Sequence, residues 1–435
     1  MKKRMLALAM AALMAGSVVG TVSVSAADYS GEDPQLEKHV KILTIWAEDN
    51  DNGILINKLC QDYQTNVNPN FTWEYEMVAS DNLQQKIATL AASNDLPDLF
   101  AYESGTPLLT LIDAGKVVNY SEAIAELGVE ECLNAGAVEL LKGLSGTEDM
   151  YDLPLGLNVE GFWYNKALFE QAGVEVPTTW AEFEACLEGL AAAGIQPLTT
   201  GGADQWGATR LINAIAVRTG GNDIMTKAAD GEIAYTDETL VAAAQKVYDW
   251  AEKGYFGEGI TTVDMNTAGS MLMTGDAAIF YNGSWFTSNL TDESANAAGP
   301  DGIGFFNIPV EDEAISTSTS YSMNCGTILA SSADKWDEGM GWFMKYFIEN
   351  AGNVAMEEMG SVKGYTYTTA VEDMDGYTKL VLDEIDKATE GFAWWEAKMS
   401  SEVSATAQMN VQTLLNNEMN GEEYMQSIQD VYDMQ

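Results

Sequence analysis

The stretch FWYNKALFEQAG, residues 162–173, changes its side-chain pattern halfway. Phe162, Trp163 and Tyr164 form a run of bulky aromatics, which favours a β-strand. From Asn165 onward, the apolar residues recur at helical spacing. The stretch therefore predicts a strand that passes directly into a helix, with a polar Asn-Lys pair at the junction.

The N-terminal third of the chain shows the same alternation of strand and helix. Strand-like runs occupy residues 40–49, 71–78 and 96–102, and helical patterns occupy residues 53–64 and 82–93. Strand–helix–strand alternation is typical of a parallel sheet that is covered by helices. The residues alone therefore predict an α/β fold.

The first 26 residues have the layout of a secretory signal peptide. Basic residues precede an apolar run, and small residues follow, with Val24 and Ala26 placed as a cleavage box. A retained membrane anchor is the alternative, but the run from Met5 to about Val22 contains few large apolar residues. We expect cleavage after Ala26, followed by a flexible polar leader over residues 27–39.

The length of the remaining chain indicates more than one domain. Removal of 26 from 435 residues leaves a chain that is too long for one ordinary core, so we expect two domains. No low-complexity linker separates them in the sequence. This favours several chain crossings between the domains over a single tether.

The charge of the chain limits its partners. The sequence has 66 Asp and Glu against 21 Lys and Arg, which gives a formal net charge of −45 at pH 7. Such a surface repels polyphosphate, so nucleic acid and anionic membranes are poor partners. The same charge leaves cationic ligands open.

The sequence lacks the motifs of metal, nucleotide and redox chemistry. It contains no GxxxxGK[ST] phosphate loop, no GxGxxG after a strand and no CxxC. Residues 48–53, EDNDNG, resemble part of a calcium loop, but Leu59 stands where an EF-hand needs a bidentate glutamate. We therefore expect no cofactor and no metal. The pairing of four widely spaced cysteines stays open: Cys60, Cys132, Cys186 and Cys325.

Catalysis has few candidate residues. The only histidine in the sequence, His39, lies in the expected leader, which argues against a Ser-His-Asp triad or an HExxH site. Glu48, Glu103 and Glu160 each follow a strand-like run, and a glycosidase needs two carboxyl groups at a defined separation. A secreted glycoside hydrolase therefore remains an alternative.

Aromatic side chains stand beside polar residues in four separate turns of the sequence. A pyranose has an apolar face, on which a flat ring stacks, and a rim of hydroxyls, which carboxylates and amides bind. A sugar site therefore needs both kinds of residue together. Core packing is the alternative for any single aromatic, but the repetition favours a sugar site. The four turns are Tyr102-Glu103, Asp204-Gln205-Trp206, Asn282-Gly283-Ser284-Trp285 and Trp394-Trp395-Glu396.

Four longer segments point to one protein family. They are the segment YDLPLGLNVEGFWYNKALFEQAGVEVPTTWAEFEACLEGLAAAGIQPL (151–198), MLMTGDAAIFYNGSW (271–285), IGFFNIPV (303–310) and GWFMKYFIENAGNVAMEEMG (341–360). Together they closely resemble extracellular solute-binding proteins of carbohydrate-uptake ABC transporters, the group that includes maltodextrin-binding protein. The element YNKALFEQAG followed by PTTW is the most specific of these motifs.

The resemblance implies an α/β, two-lobed periplasmic-binding-protein fold. Each lobe would be a mainly parallel sheet flanked by helices, and hinge crossings would join the lobes. Residues 40–158 and 308–361 would form lobe 1, and residues 159–307 and 362–435 would form lobe 2.

The resemblance also explains the junction in the opening stretch. The strand at residues 161–164 would lie just after the first crossing and lead into the first helix of lobe 2. Asn165 would cap that helix with its short polar side chain. Trp163 and Tyr164 would then be scaffold residues, not ligand contacts.

The resemblance further implies which residues contact the ligand. Trp285 matches the family's stacking tryptophan, and Glu160 matches a carboxylate that bridges sugar hydroxyls. Glu48 and Asp49 follow the first strand, at the strand end where ligands bind in such folds. We expect ligand binding, with no catalytic residue, at Glu48, Asp49, Tyr102, Glu103, Glu160, Asp204, Trp206, Trp285, Trp394 and Trp395.

The function implied by the resemblance is sugar capture outside the cytoplasm. The protein would be an exported monomer that binds a carbohydrate, closes around it and delivers it to ABC permease subunits, without nucleic acid. It would lie in the periplasm or at the extracellular face of the membrane, and no lipobox cysteine precedes Cys60. A secreted glycoside hydrolase, the same fold with a cationic or peptide ligand, and a surface adhesin or sensor remain alternatives.

Overall fold

Two separate β-sheets organise the computed structural model, which describes residues 28–370 and 374–435. The predicted signal peptide lies outside these residues. The strands are β1 (Lys38–Thr44), β2 (Phe71–Met77), β3 (Leu99–Tyr102), β4 (Asn158–Asn165), β5 (Leu198–Thr199), β6 (Ile279–Gly283), β7 (Ile303–Phe306), β8 (Ser320–Asn324), β9 (Ile328–Ser331) and β10 (Glu390–Phe392).

Helices cover both sheets. They are α1 (Asp51–Asn66), α2 (Ser80–Ala92), α3 (Thr106–Asp113), α4 (Tyr120–Leu127), α5 (Ala135–Ser145), α6 (Lys166–Ala172), α7 (Trp180–Ala192), α8 (Trp206–Gly220), α9 (Ile224–Ala229), α10 (Glu238–Glu252), α11 (Met265–Thr274), α12 (Thr287–Leu290), α13 (Glu338–Met359), α14 (Gly376–Lys387), α15 (Ser401–Leu415) and α16 (Gly421–Tyr432).

The first sheet, with the helices packed on it, forms the first lobe. Its strand order is β2-β1-β3-β9, and β1 runs parallel to β2 and β3 while β9 is antiparallel to β3. Helices α1 and α13 pack against each other in this lobe, where the rings of Tyr63 and Phe343 lie 5.4 Å apart. The predicted alternation of strand and helix at the N-terminus is therefore confirmed.

The second sheet forms the second lobe and differs from the predicted mainly parallel arrangement. Its order is β10-β8-β4-β6-β5, with β7 also paired to β4, and β4 is antiparallel to β6, β7 and β8. The direction of the chain gives the reason. Strand β4 carries the chain from the first lobe into the second, and β8 carries it back, so the two strands run in opposite directions. The two-lobed α/β fold itself is confirmed.

The chain returns to the first lobe later than predicted. Strand β8 pairs with β4, and Ile308 belongs to the second lobe's core, so residues 308–324 lie in the second lobe. Tyr365, which is 2% exposed, packs in the first lobe's core, so the last crossing follows it instead of preceding residue 362. Local patterns do not reveal such boundaries, because they depend on pairing between residues that are distant in the sequence.

Residues 28–37 are mostly exposed, but two of their side chains contact the first lobe, which differs from the expected flexible leader. The ring of Tyr29 is 6% exposed and lies 5.1 Å from the ring of Trp342. The hydroxyl of Tyr63 donates a hydrogen bond of 2.5 Å to the carboxylate of Asp33. Strand β1 begins at Lys38, so His39 lies within a strand, where Nδ1 is 2.9 Å from Oγ1 of Thr72.

The junction in the opening stretch is confirmed. Oδ1 of Asn165 accepts a hydrogen bond from the amide of Leu168 and caps α6. Phe162 and Trp163 point to opposite faces of the second sheet and are fully buried in two different clusters. These residues are scaffold, as the resemblance implies for Trp163.

The cysteines and the helices add two further findings. All four cysteines are free thiols, and Cys60, Cys186 and Cys325 are buried. No helix in the described part of the chain combines the length and the apolar composition that a membrane crossing needs.

Asp152 is a buried acid beside the crossing into the second lobe. Its side chain is 0% exposed, and neither carboxylate oxygen has a hydrogen-bond partner among the described residues. Burial raises the pKa of this carboxyl from 3.8 to about 7. The folded state therefore holds the Asp152 proton more tightly than the unfolded state, and this contribution to stability is lost as the pH rises from 3.8 through about 7.

Asp152→Asn should remove that loss, because the amide is neutral at every pH in the window. Urea unfolding should show the variant gaining stability relative to the wild type between pH 5 and pH 8, by roughly 3 kcal/mol. Glu148→Gln, at an exposed position in the same segment, is the matched control. A constant difference between Asp152→Asn and wild type across this pH range would contradict the assignment.

Candidate functional site

The site is built around the first turns of α8. Trp206 and Arg210 lie one helical turn apart, so their side chains share a face of the helix. The guanidinium carbon of Arg210 is 5.6 Å from the centroid of the Trp206 ring. The preceding residue, Gln205, has φ +68°, a strained conformation for a non-glycine residue. This tight entry into the helix places Trp206 at its N-terminus.

Arg210 is held by a buried carboxylate of the second sheet. The Glu160 side chain on β4 is 1% exposed, and its Oε1 accepts a hydrogen bond from Nη1 of Arg210. Asn324, at the end of β8, donates to the same oxygen at 2.7 Å. The other carboxylate oxygen of Glu160 has no partner among the described residues. Hydrogen-bond donors of the described protein therefore reach only one of the two carboxylate oxygens of Glu160.

A second carboxylate completes the network around the guanidinium. Oε2 of Glu396 lies 3.7 Å from Nε of Arg210, and its Oε1 accepts a hydrogen bond from the hydroxyl of Thr209. Burial alone would lower the pKa of Arg210, but Glu160 and Glu396 together raise it. The three side chains Arg210, Glu160 and Glu396, hereafter the Arg210 network, combine one positive and two negative charges.

Two indole rings lie against Arg210, and a third lies beside one of them. Trp394 lies 5.3 Å from the guanidinium carbon of Arg210, and the ring of Trp285 lies 6.2 Å from the ring of Trp206. All three tryptophans are partly exposed. The structure thus brings together three of the predicted aromatic residues with the predicted carboxylate Glu160.

The first lobe contributes Tyr102 and Glu103, which follow β3. Tyr102 is 7% exposed, whereas Glu103 is partly exposed. Burial raises the pKa of Glu103, Arg210 opposes that rise, and Glu396 adds to it. Glu103 therefore lies within electrostatic reach of the Arg210 network, so charged groups of both lobes meet in one region.

Four of the predicted ligand-binding residues do not belong to the group formed by the Arg210 network and its indole rings. Trp395 is 1% exposed and packs in the core of the second lobe, within the turn at residues 395–398. The carboxylate of Asp204 accepts a hydrogen bond of 2.6 Å from the amide of Met265 at the start of α11, which is a structural contact. Glu48 and Asp49 are exposed in the loop between β1 and α1, and they form no hydrogen bond or ion pair with the Arg210 network in the described chain. The burial of Trp395 contradicts its prediction as a ligand contact, whereas ligand binding by Asp204, Glu48 and Asp49 stays a prediction.

Sequence reasoning missed Arg210, Glu396 and Asn324. Arg210 is one of three arginines in a chain with 66 acidic residues, and that rarity was an available signal. Glu396 stands in one of the four aromatic turns, but its orientation depends on long-range packing. Asn324 enters through the pairing of β8 with β4, which no local pattern reveals.

The family is decided by comparison of the whole chain with known families. The model for the bacterial extracellular solute-binding proteins matches residues 51–354, which is more than half of the chain. This chain belongs to that family. Its members are extracellular solute-binding proteins of bacteria.

Curated relatives of this solute-binding protein match over part of their length. An uncharacterised ABC transporter extracellular-binding protein of Pyrococcus horikoshii is 24% identical over 245 residues, which cover 55% of this chain and 54% of that protein. An alpha-glucosides-binding periplasmic protein of Rhizobium meliloti is 33% identical over 122 residues, or 27% of each chain. The chain thus spans about half the length, or less, of these relatives.

Solved structures share the fold over nearly the full chain. A chitin oligosaccharide binding protein has a TM-score of 0.82 at 24% identity, with 92% of this chain and 98% of that chain covered. A solute-binding protein in complex with raffinose has a TM-score of 0.71 at 19% identity, with 91% and 99% covered. At these identities the likeness establishes the two-lobed architecture.

Arg210→Ala should destabilise the solute-binding protein by about 3–5 kcal/mol, because it leaves the buried carboxylate of Glu160 without a cation. Urea unfolding at pH 7 measures the change. The double variant Arg210→Ala with Glu160→Gln should recover part of the loss, since residue 160 then carries no charge.

The matched control is Lys41→Ala, which breaks the exposed ion pair with Glu74 and should leave the unfolding curve nearly unchanged. An unfolding midpoint for Arg210→Ala equal to that of wild type would show that the buried pair contributes no stability.

Proposed function

We propose that this solute-binding protein captures a sugar, preferentially an oligosaccharide, between its lobes and delivers it to the permease of an ABC transporter. The observation that carries the proposal is the set of three partly exposed indoles, Trp206, Trp285 and Trp394, beside the buried Arg210 network. Indole faces match the apolar face of a pyranose, and the charged groups match its hydroxyl rim. Three rings suit more than one sugar unit.

Closure of the two lobes would make capture selective. Glu103 belongs to the first lobe, and the tryptophans and the Arg210 network belong to the second. A ligand that touches both lobes stabilises the conformation in which they meet. Closure also removes water from the site, which strengthens each hydrogen bond to a charged group.

The relatives support the same ligand class. One is an alpha-glucosides-binding protein, and the solved structures of this fold include a chitin oligosaccharide binding protein and a complex with raffinose. Two further relatives are extracellular-binding proteins of ABC transporters. We infer that an ABC permease receives the ligand and that its ATPase subunits supply the energy.

The proposed location is the periplasm or the outer face of the cell membrane. The signal-like residues 1–26 support export, and no cysteine before Cys60 offers a site for lipid attachment. The net charge of −45 argues against nucleic acid as a partner. We propose that the protein acts as a monomer and performs no chemical step on its ligand.

A cationic ligand is the second candidate, and one observation favours it. The carboxylates of Glu160 and Glu396 contact the guanidinium of Arg210, and the carboxylate of Glu103 lies within its electrostatic reach, so the site carries an excess of negative charge. Indole rings also bind cations through their faces. A thermal-shift screen with neutral oligosaccharides and with amines separates the two ligand classes.

Trp285→Ala and Trp394→Ala should each weaken binding of the best glycan in that screen by about 1–3 kcal/mol, through loss of a stacking ring. Isothermal titration calorimetry measures the affinity. Trp73→Ala, which removes a partly exposed indole on the outer strand β2, is the control and should leave the affinity unchanged.

Sugar capture would be refuted by stabilisation with amines alone, or by wild-type affinity in both site variants. The same samples, recovered after long incubation, should contain the oligosaccharide intact. Release of shorter products would favour the glycoside hydrolase alternative.

A further inference from the structure

A short loop of the second lobe reaches both the candidate site and the first lobe. This interlobe loop, residues 393–400, runs between β10 and α15. Trp395 and Met399 anchor it in the second lobe's core. Three other residues of the loop make contacts outside that core. Trp394 and Glu396 lie at Arg210, and Lys398 reaches the first lobe.

Lys398 contacts the end of a helix in the first lobe. Its Nζ donates hydrogen bonds to the carbonyl oxygens of Gly143, at 2.8 Å, and Leu144, at 2.7 Å. These carbonyls belong to the last turn of α5, where the helix supplies no amide partners and the helix dipole is negative. Helix α5 is part of the first lobe, since Ala137 and Leu141 lie in its core. An ammonium group is therefore well matched to this position.

The backbone beside Lys398 also meets the first lobe closely. A Cβ atom on Gly105 would lie 2.8 Å from the carbonyl oxygen of Ala397. Gly105 has φ +84°, so its backbone already requires glycine, and the missing side chain permits the approach. Burial lowers the pKa of Lys398, as expected for an ammonium group partly removed from solvent. Two independent contacts thus join the interlobe loop to the first lobe.

We propose that Lys398 is a positioning residue that favours the closed arrangement of the lobes without touching the ligand. The inference rests on the proposed function, in which capture takes place between the lobes. The ammonium of Lys398 binds the end of α5, while Trp394 and Glu396 of the same loop stand at the site. A ligand that orders the loop at Trp394 also holds Lys398 in place, and the contact with α5 slows the release of the ligand.

Lys398→Met tests the proposal, because it keeps the length of the side chain and removes every donor. Small-angle X-ray scattering of the sugar-free protein should show a larger radius of gyration than that of wild type. Stopped-flow tryptophan fluorescence should show an oligosaccharide from the glycan screen dissociating about three- to tenfold faster. Lys398→Arg retains a cation and donors, so it should restore both properties toward wild type.

One further variant separates the contact from general effects. Lys387→Met removes an exposed lysine of the same lobe, whose partner is Glu384 on the same helix, and should change neither property. Circular dichroism spectra and unfolding curves verify that each variant is folded.

The outcomes separate this proposal from sugar capture. Scattering curves and dissociation rates of Lys398→Met equal to those of wild type would overturn the role of Lys398. Scattering that changes as expected, in a protein whose wild type binds no sugar of the panel, would support the role of Lys398 in lobe closure and refute sugar capture. A Lys398→Arg variant as open as Lys398→Met would also contradict the proposal.

Discussion

The buried contact between Arg210 and Glu160 is the interaction on which the rest of the site depends. Glu160 lies on β4, the strand by which the chain enters the second lobe, and its side chain is 1% exposed. A carboxylate removed from water is unfavourable without a cation, so Arg210 has to remain over this strand. Because Trp206 precedes Arg210 by one helical turn, the same contact also fixes an indole ring at the mouth of the site.

Much of the fold could be predicted from local patterns, and its departures arise from long-range pairing. The switch from strand to helix at Asn165 was predictable, because the aromatic run and the capping side chain are adjacent in the sequence. The second sheet's antiparallel pairs and the return of the chain after Asn324 were not, since both depend on which strand lies beside β4. Tyr29 shows the same limit, because its burial requires a partner more than three hundred residues away, Trp342.

The site could be predicted in part, because the chemistry of a turn is local and the direction of a side chain is not. Trp206, Trp285 and Trp394 were found from their polar neighbours, and the structure places Trp206 and Trp394 at Arg210 and Trp285 beside Trp206. Trp394 and Trp395 are identical in type, yet only the packing of the second lobe decides that Trp395 is core. Arg210 could not be predicted in this way, because it lies inside a helix, where an arginine is ordinarily a surface residue.

The central claim is that sugar rings lie on these indoles between the two lobes, with the Arg210 network as the charged floor of the site. A crystal structure of the protein with the tightest-binding oligosaccharide of a glycan panel tests it most directly. We predict sugar faces in van der Waals contact with at least two of the three indoles, and hydroxyls within hydrogen-bond distance of Glu103 and of the Arg210 network. An oligosaccharide bound on the outer surface of one lobe, away from all three rings, would contradict the claim.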